Sequence, residues 1–369
     1  MDKLRAVADY AAPQRDRERD PLSNPTPEPH ARAPVCRLLL ISDGRPGHYR
    51  QSEGVVAALR RRGPVTVHRL DLAARRPLPK GLVPKLGRLL APSTFLRAVH
   101  GLDPARVVRP DLIVSAGGMT LGANVALARL WGLPNVFSGS TRGYPVTAFR
   151  LVLTPYVSHA HPPVVMFGPK PTPFDPDRVP PPQALGAARD LCGKRISLLV
   201  GGPTPNADFA PDDWQRLAGL LDTLARDWDA RITVVTSPRT PEAAYAALTP
   251  LATRPEGAVT LVDFREAGPG SIDAAFDCDL VLITSDSMSM MTEAALSRRP
   301  AIALSPVVTR AHRDDEAVAG LVSAGWLAVR TLAETEAAQL AETAAALTPM
   351  AENHLDRLAA LVTRAIAAS

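Results

Sequence analysis

The sequence predicts an α/β protein of two domains, each a parallel sheet flanked by helices. Three observations carry that expectation. Short apolar runs of strand length alternate with segments of helical composition. The same alternation occurs twice along the chain. Between the two lies 168–183, GPKPTPFDPDRVPPPQ, whose seven prolines exclude a helix or a central strand and read as a linker. The expected organisation is a disordered tail over 1–34, a first domain over 35–167 and a linker over 168–193. A second domain follows over 194–335, with C-terminal helices over 336–369.

In the first domain RLLLI (37–41) is a buried strand. SDGRPGHYRQSEG (42–54) follows and leads into a helix ending near Arg61. Gly44, Pro46 and Gly47 make a tight loop there, with Asp43, Arg45, His48, Arg50, Gln51 and Ser52 around it. Glycines between a strand and a helix let a ligand approach the backbone. The spacing is not GxGxxG, so a dinucleotide fingerprint is not supported. VTVHRLDL (65–72) is the next strand. Over 78–100, Leu82, Val83, Leu86, Leu89 and Leu90 share a helical face that leaves out Lys85 and Arg88. Such a segment either packs inward or lies on an anionic membrane surface. A second strand–loop–helix–strand unit covers 109–138, with Gly117-Gly118 at its turn and Gly132 as C-cap. FRLVLTP (149–155) adds a strand.

In the second domain ISLLV (196–200) ends in Gly201-Gly202-Pro203-Thr204-Pro205-Asn206, and a long helix runs over Trp214 to Trp228. RITVVTS (231–237) precedes a helix expected to be capped by Thr240. AVTLVDF (258–264) is a further strand, and SIDAAFD reads as helical. VLITSDSMSMMTEAALSRRPAIAL (281–304) reads as strand, hydroxyl-rich turn, helix and strand. A helix over 312–326 and a helical Ala-rich tail complete the pattern.

Composition narrows the function. The net charge of +5 suits an anionic substrate or surface, yet it is modest for a nucleic-acid binder. Aromatics make up 5 % of the chain, which disfavours base stacking as a binding mode. No nucleic-acid partner is expected. Three distant cysteines fit neither a disulfide framework nor a zinc site, and a reducing cytoplasm is the default compartment. The first 34 residues hold no apolar h-region, and their acidic residues argue against a transit peptide.

Ligands of open parallel sheets bind beyond the carboxyl ends of the strands. Three such ends in the second domain carry suitable residues. They are Gly201-Gly202 with Thr204 and Asn206; Ser237, Arg239 and Thr240; and Thr284, Ser285, Ser287 and Ser289 with Glu293. Helix N-termini, a guanidinium and hydroxyls suit phosphate, and Glu293 is placed to accept from a ribose. The combination describes a nucleotide-diphosphate site. No Asp-x-Asp motif stands at a strand end and no metal-ligand cluster is present in the sequence, so no metal is expected.

The segments SDGRPGHYRQSEG, LLVGGPTPNADF, TSPRTP and TSDSMSMMTEAALSRRP resemble, in that order, the mitochondrial-fission ELM family and its bacterial relatives. DGRPGH and RPDLIVSAGGMTLGANVALARLWGLPNV are also similar to MurG-type transferases. The resemblance implies a GT-B-like fold, two Rossmann-like domains facing across a cleft. It implies a nucleotide-sugar donor, UDP-linked, as co-substrate with no cofactor. The expected function is metal-independent glycosyl transfer to an acceptor, lipid-linked or of the envelope. His48 or Asp43 would act as base, with Arg45 against the leaving diphosphate. Gly44, Gly47, Gln51, Gly117 and Gly118 would line the acceptor side. Two alternatives stay open, a nucleotide-sugar epimerase and a non-catalytic adaptor at a membrane surface. The expected location is cytoplasmic, with docking to the inner face of the membrane through 78–100.

Overall fold

The computed structural model describes residues 36–72, 82–183, 191–204, 207–267, 273, 275–306 and 308–367. The expected disordered tail, residues 78–81 of the basic segment, Asn206, and Ser271, Ile272 and Ala274 of the expected SIDAAFD helix lie outside them, while residues 275–277 of that segment form a turn and bend and not a helix. The chain divides into two units, one of residues 1–173 with 354–369 and one of residues 174–353.

Unit 1 begins with β1 (Cys36–Ser42), α1 (Pro46–Arg60) and β2 (Val65–Asp71). Then come α2 (Leu82–Leu89), the short α3 (Pro92–Phe95), β3 (Leu112–Ala116) and α4 (Leu121–Trp131). β4 (Asn135–Ser138), β5 (Leu151–Thr154) and β6 (Val165–Phe167) complete its sheet, ordered β2-β1-β3-β4-β5-β6 and parallel throughout. Strands β1, β3, β4 and β5 are buried on both faces, which explains their unbroken apolar runs. β6 was not expected; it is a three-residue edge strand between prolines and carries no period to detect.

Unit 2 repeats the plan. It contains β7 (Arg195–Leu199), α5 (Pro211–Asp227), β8 (Arg231–Val235), α6 (Glu242–Ala252), β9 (Val259–Val262) and the short α7 (Phe264–Ala267). It continues with β10 (Leu280–Thr284), α8 (Met288–Leu296), β11 (Ala301–Ser305), α9 (Asp314–Ser323) and β12 (Ala328–Thr331). Helix α10 (Ala337–Ala346) closes the unit. The sheet is parallel, ordered β12-β11-β10-β7-β8-β9. β12 is a second unexpected edge strand, four residues long.

The C-terminal helices do not behave as one tail. Leu340, Ala341 and Ala344 of α10 join the unit 2 core. The last helix, α11 (His354–Ala367), belongs to unit 1, where Leu355, Leu358, Ala359 and Val362 pack with Val55, Val56 and Leu59 of α1. Arg61 grips Asp356 with two hydrogen bonds of 2.7 Å. The proline-rich run is also less free than a linker. Asn353 donates to Asp175 (2.7 Å) and Asp177 (2.9 Å), Arg298 pairs with Asp177, and Asp279 accepts from the Gln183 amide at 2.8 Å. Buried Arg299 donates to the Pro180 carbonyl.

In α2 the expected apolar face divides. Val83, Leu86 and Leu90 pack on the core around Phe95 and Leu96. Leu82 and Leu89 stay outside, Leu89 at 81 % exposure, beside the exposed Lys85 and Arg88. No helix among the described residues is long and apolar enough to cross a membrane.

His100 sits edge-on to Phe95, and its Nε2 is buried without a hydrogen-bond partner. Burial drives its pKa down to about 4. The unfolded chain takes the proton nearer 6.5, so the neutral ring stabilises the fold above that pH and the gain is lost as pH falls toward 4. Urea unfolding should therefore show wild type losing about 2 kcal/mol more than His100→Phe between pH 7.5 and pH 5. Equal losses in the two proteins would contradict this placement of the ring.

Candidate functional site

In each unit the strand order reverses once. From β1 the chain steps outward to β2 and then returns past β1 to β3. From β9 it returns past β7 to β10. The loops leaving β1 and β3 diverge, as do those leaving β7 and β10, and open parallel sheets bind ligands at such reversals. The residues singled out in the sequence gather at both.

In unit 1 the Asp43 carboxylate accepts from His48 Nδ1 at 2.8 Å and from the Arg45 amide at 3.2 Å. Gly44 turns at φ 74°, its amide on Ser42 Oγ. The helix then starts earlier than expected. Arg45 is its N-cap residue and Pro46 its first residue, so Gly47 and His48 lie inside the first turn. An Asp accepting from Nδ1–H leaves the acceptor lone pair on Nε2. The carboxylate is almost buried and the imidazole partly exposed, with side-chain exposures of 5 % and 29 %. The carboxylate fixes the orientation of the ring.

The β3 loop completes this edge. Gly117 has φ 84°, and a β-carbon on it would overlap the His48 ring. The position must be glycine both for the turn and for the imidazole. A β-carbon on Gly118 would collide with the guanidinium of Arg142, a residue the sequence reading did not select. Gln51 is held inside the unit, donating to Gly47 O and accepting from Ser138 Oγ at 2.8 Å.

In unit 2 the three expected strand ends do meet, because β10, β7 and β8 are neighbours. Their contacts revise the expectation. The Gly201 amide donates to Thr284 Oγ1 at 2.7 Å and the Gly202 amide to Asp286 Oδ2 at 2.9 Å. These amides hold the protein together and are not left for a ligand. A β-carbon on Gly201 would overlap the Asp286 carboxylate, and one on Gly202 the Arg239 backbone. Thr240 does not cap α6, whose N-cap residue is Pro241. Its hydroxyl accepts from the Ser237 amide at 2.8 Å and donates to Val200 O, tying β8 to β7. The Thr204 hydroxyl accepts from the Ala207 amide and donates to the Ala207 carbonyl, both at 3.2 Å.

Of the hydroxyls at the start of α8, Thr284 and Thr292 turn inward. Ser287 stands at the N-cap without a side-chain cap bond, and Ser289 is exposed. With the leading amides of α8 they stand at the positive end of the helix dipole. Glu293, the residue expected to accept from a ribose, is buried at 7 % exposure.

Sequence reasoning missed three features here. Asp286 takes the Gly202 amide and the Arg239 guanidinium (3.0 Å) on one oxygen. Burial pushes its carboxyl above the usual carboxylate range, against the pull of the Gly202 amide, Thr284 and Arg239. Beyond β9, Arg265 clamps Asp263 and lies over the Tyr245 ring, holding the Asp263 carboxyl down at about 2. The acidic–basic pair around Phe264 at a strand end was its only signal. Third, a cavity of about 550 Å³ opens beside α8, lined among others by Ser285, Met291, Thr309, Arg310, Asp315 and Val318. The loop carrying Thr309 is pinned by a bridge to Ala207. Its signal was the polar run after β11.

The unit 1 glycines give a test. Gly47 has open space around its α-carbon and negative φ. Gly47→Ala should leave stability unchanged or raise it by up to about 1 kcal/mol, whereas Gly117→Ala should cost about 1–3 kcal/mol. Urea unfolding of both variants decides; the reverse order would contradict the packing of His48 on Gly117.

Among solved structures the chain is similar to a candidate UDP-N-acetylglucosamine 2-epimerase from Listeria monocytogenes. Identity is 13 %, over 90 % of this chain and 96 % of that one, with a TM-score of 0.54. The UDP-GlcNAc 2-epimerase of Neisseria meningitidis, bound to UDP-GlcNAc, also aligns at 13 % identity, over 90 % and 100 %, with a TM-score of 0.51. MurG from Acinetobacter baumannii aligns at 15 % identity, over 90 % and 100 %, with a TM-score of 0.49. The first two likenesses establish the expected GT-B-like class, two Rossmann-like units, and reach no further than the fold. No match was found among curated proteins. The sequence profile of the mitochondrial fission ELM1 family matches residues 46–364, and on that match over most of its length the chain belongs to the mitochondrial fission ELM1 family.

Proposed function

We propose that the protein is a GT-B-type glycosyltransferase that moves a sugar from a nucleoside diphosphate to a hydroxyl acceptor. The observation that carries the reading is the coincidence, in both units, of a strand-order reversal with chemistry-bearing side chains. Unit 2 takes the donor. Arg239, Ser237, Ser287, Ser289 and the first amides of α8 meet the diphosphate, without a metal ion in that role. Ser285 and Arg310 offer a hydroxyl and a cation from the neighbouring cavity, and Glu293, one turn into α8, is the candidate for the ribose hydroxyls.

Unit 1 takes the acceptor. The acceptor oxygen attacks the anomeric carbon, its proton passes to His48 Nε2, and the bond from that carbon to the diphosphate oxygen breaks. Asp43 holds the ring and stabilises its charged form. His48→Ala should lower transfer by at least about 100-fold while the uridine diphosphate dissociation constant changes by less than about threefold. Equal loss of transfer and binding would refute this division of roles. Epimerised nucleotide sugar formed without an acceptor would select the epimerase reading. The absence of any thermal shift with nucleotide sugars would select the adaptor.

The outward face of α2 supports a membrane-bound setting for the acceptor. Leu82 and Leu89 project beside Lys85 and Arg88, a pairing of apolar and basic groups suited to an anionic lipid surface. Leu89→Glu with Lys85→Glu should abolish sedimentation with phosphatidylglycerol vesicles at low salt. Unchanged sedimentation would dismiss α2 as the contact.

A further inference from the structure

We propose that Asp286 is the positioning residue of the diphosphate site in unit 2, acting through Arg239. This rests on the donor-site reading above and deepens it. Asp286 would fix the Arg239 guanidinium over the end of β8, so that a phosphate meets a cation already set in one orientation.

Three observations point this way. First, the carboxylate is in a poor place for a merely structural cap. Its side chain has no solvent exposure, and Oδ1 is buried with no hydrogen-bond partner. Leaving a buried acceptor unsatisfied is unfavourable. A residue that only pinned the Gly202 amide would do so as well uncharged, as Asn or Ser. Such half-satisfied buried groups gather at functional sites. Second, its neighbours give way to it. Gly201 must lack a β-carbon because the carboxylate occupies that space. Third, the charge is directed at one cation. Oδ2 takes Arg239 Nη2 at 3.0 Å together with the Gly202 amide, while Arg239 Nη1 reaches the Gly202 carbonyl at 3.5 Å.

The arrangement leaves the outer part of the guanidinium open, at 43 % side-chain exposure. A free arginine gives up rotamer entropy on being ordered. Held by Asp286, Arg239 has lost that freedom before the ligand arrives, which is preorganisation. The anionic partner is buried and paired with the cation, which offsets its repulsion of an incoming phosphate.

The test separates this tether from a general staple and from the donor-site reading. Asp286→Asn keeps an oxygen for the Gly202 amide and removes the charge that holds Arg239. Asp286→Ser serves if the Asn variant does not fold. Modification of Arg239 by phenylglyoxal, followed by peptide mass spectrometry, reads the tether without any nucleotide. The rate should rise at least about fivefold in the variant, and an unchanged rate overturns the proposal. Binding of uridine diphosphate by calorimetry then gives a double-mutant cycle. Asp286→Asn should weaken binding about tenfold, and Asp286→Asn with Arg239→Ala should bind no worse than Arg239→Ala alone. Losses that multiply would show that Asp286 acts apart from Arg239 and overturn the proposal. If wild type binds no uridine diphosphate, the donor-site reading falls, while the phenylglyoxal comparison still decides the tether.

Discussion

Parallel strands bring all their carboxyl ends to one edge of a sheet, and a reversal of strand order parts the loops at one point on it. That constraint organises both units. In unit 1 the reversal lies between β1 and β3, and the Asp43–His48 pair sits there because Gly117 leaves room for the ring. In unit 2 it lies between β7 and β10, and there the loops are sewn together by Thr284 and Asp286. The first edge carries the Asp43–His48 pair, and the second carries Arg239, Asp286 and the start of α8.

The sewing in unit 2 changes what its glycines do. In many phosphate loops glycine lets the ligand touch backbone amides. Here the amides of Gly201 and Gly202 are consumed by the protein, and their missing side chains make room for Asp286 and Arg239. Elsewhere in the unit, charge is spent on architecture. Asp279 takes Arg195 and the Gln183 amide, and Arg299 takes three carbonyls, at the opposite end of the strands. Those pairs hold the proline-rich run to unit 2 and stand apart from the candidate site.

Much of this was legible in the sequence, for identifiable reasons. Fully buried strands such as Leu280–Thr284 announce themselves as apolar runs, whereas the edge strands β6 and β12 are too short to show a period. The strand ends at Gly201, Arg239 and Thr284 were visible as residue types at predicted junctions. Asp286 was not, because an aspartate before a helix reads as a cap wherever its carboxylate points. Tyr245, Asp263 and Arg265 form one cluster only through pairing across separate elements, which spacing does not reveal. The last helix shows the same limit. Its period says that one face is apolar, but not that α1 of unit 1 covers it.

The central claim is that the edge at the β7–β10 reversal is where the protein meets a nucleoside diphosphate. Hydrogen–deuterium exchange with and without saturating uridine diphosphate tests it most directly. The account predicts joint protection of peptides spanning 198–204, 235–241 and 283–292, with the N-terminal end of β7 and the 277–279 segment unchanged. Protection confined to unit 1, or none in the three peptides while the nucleotide is bound, would contradict it.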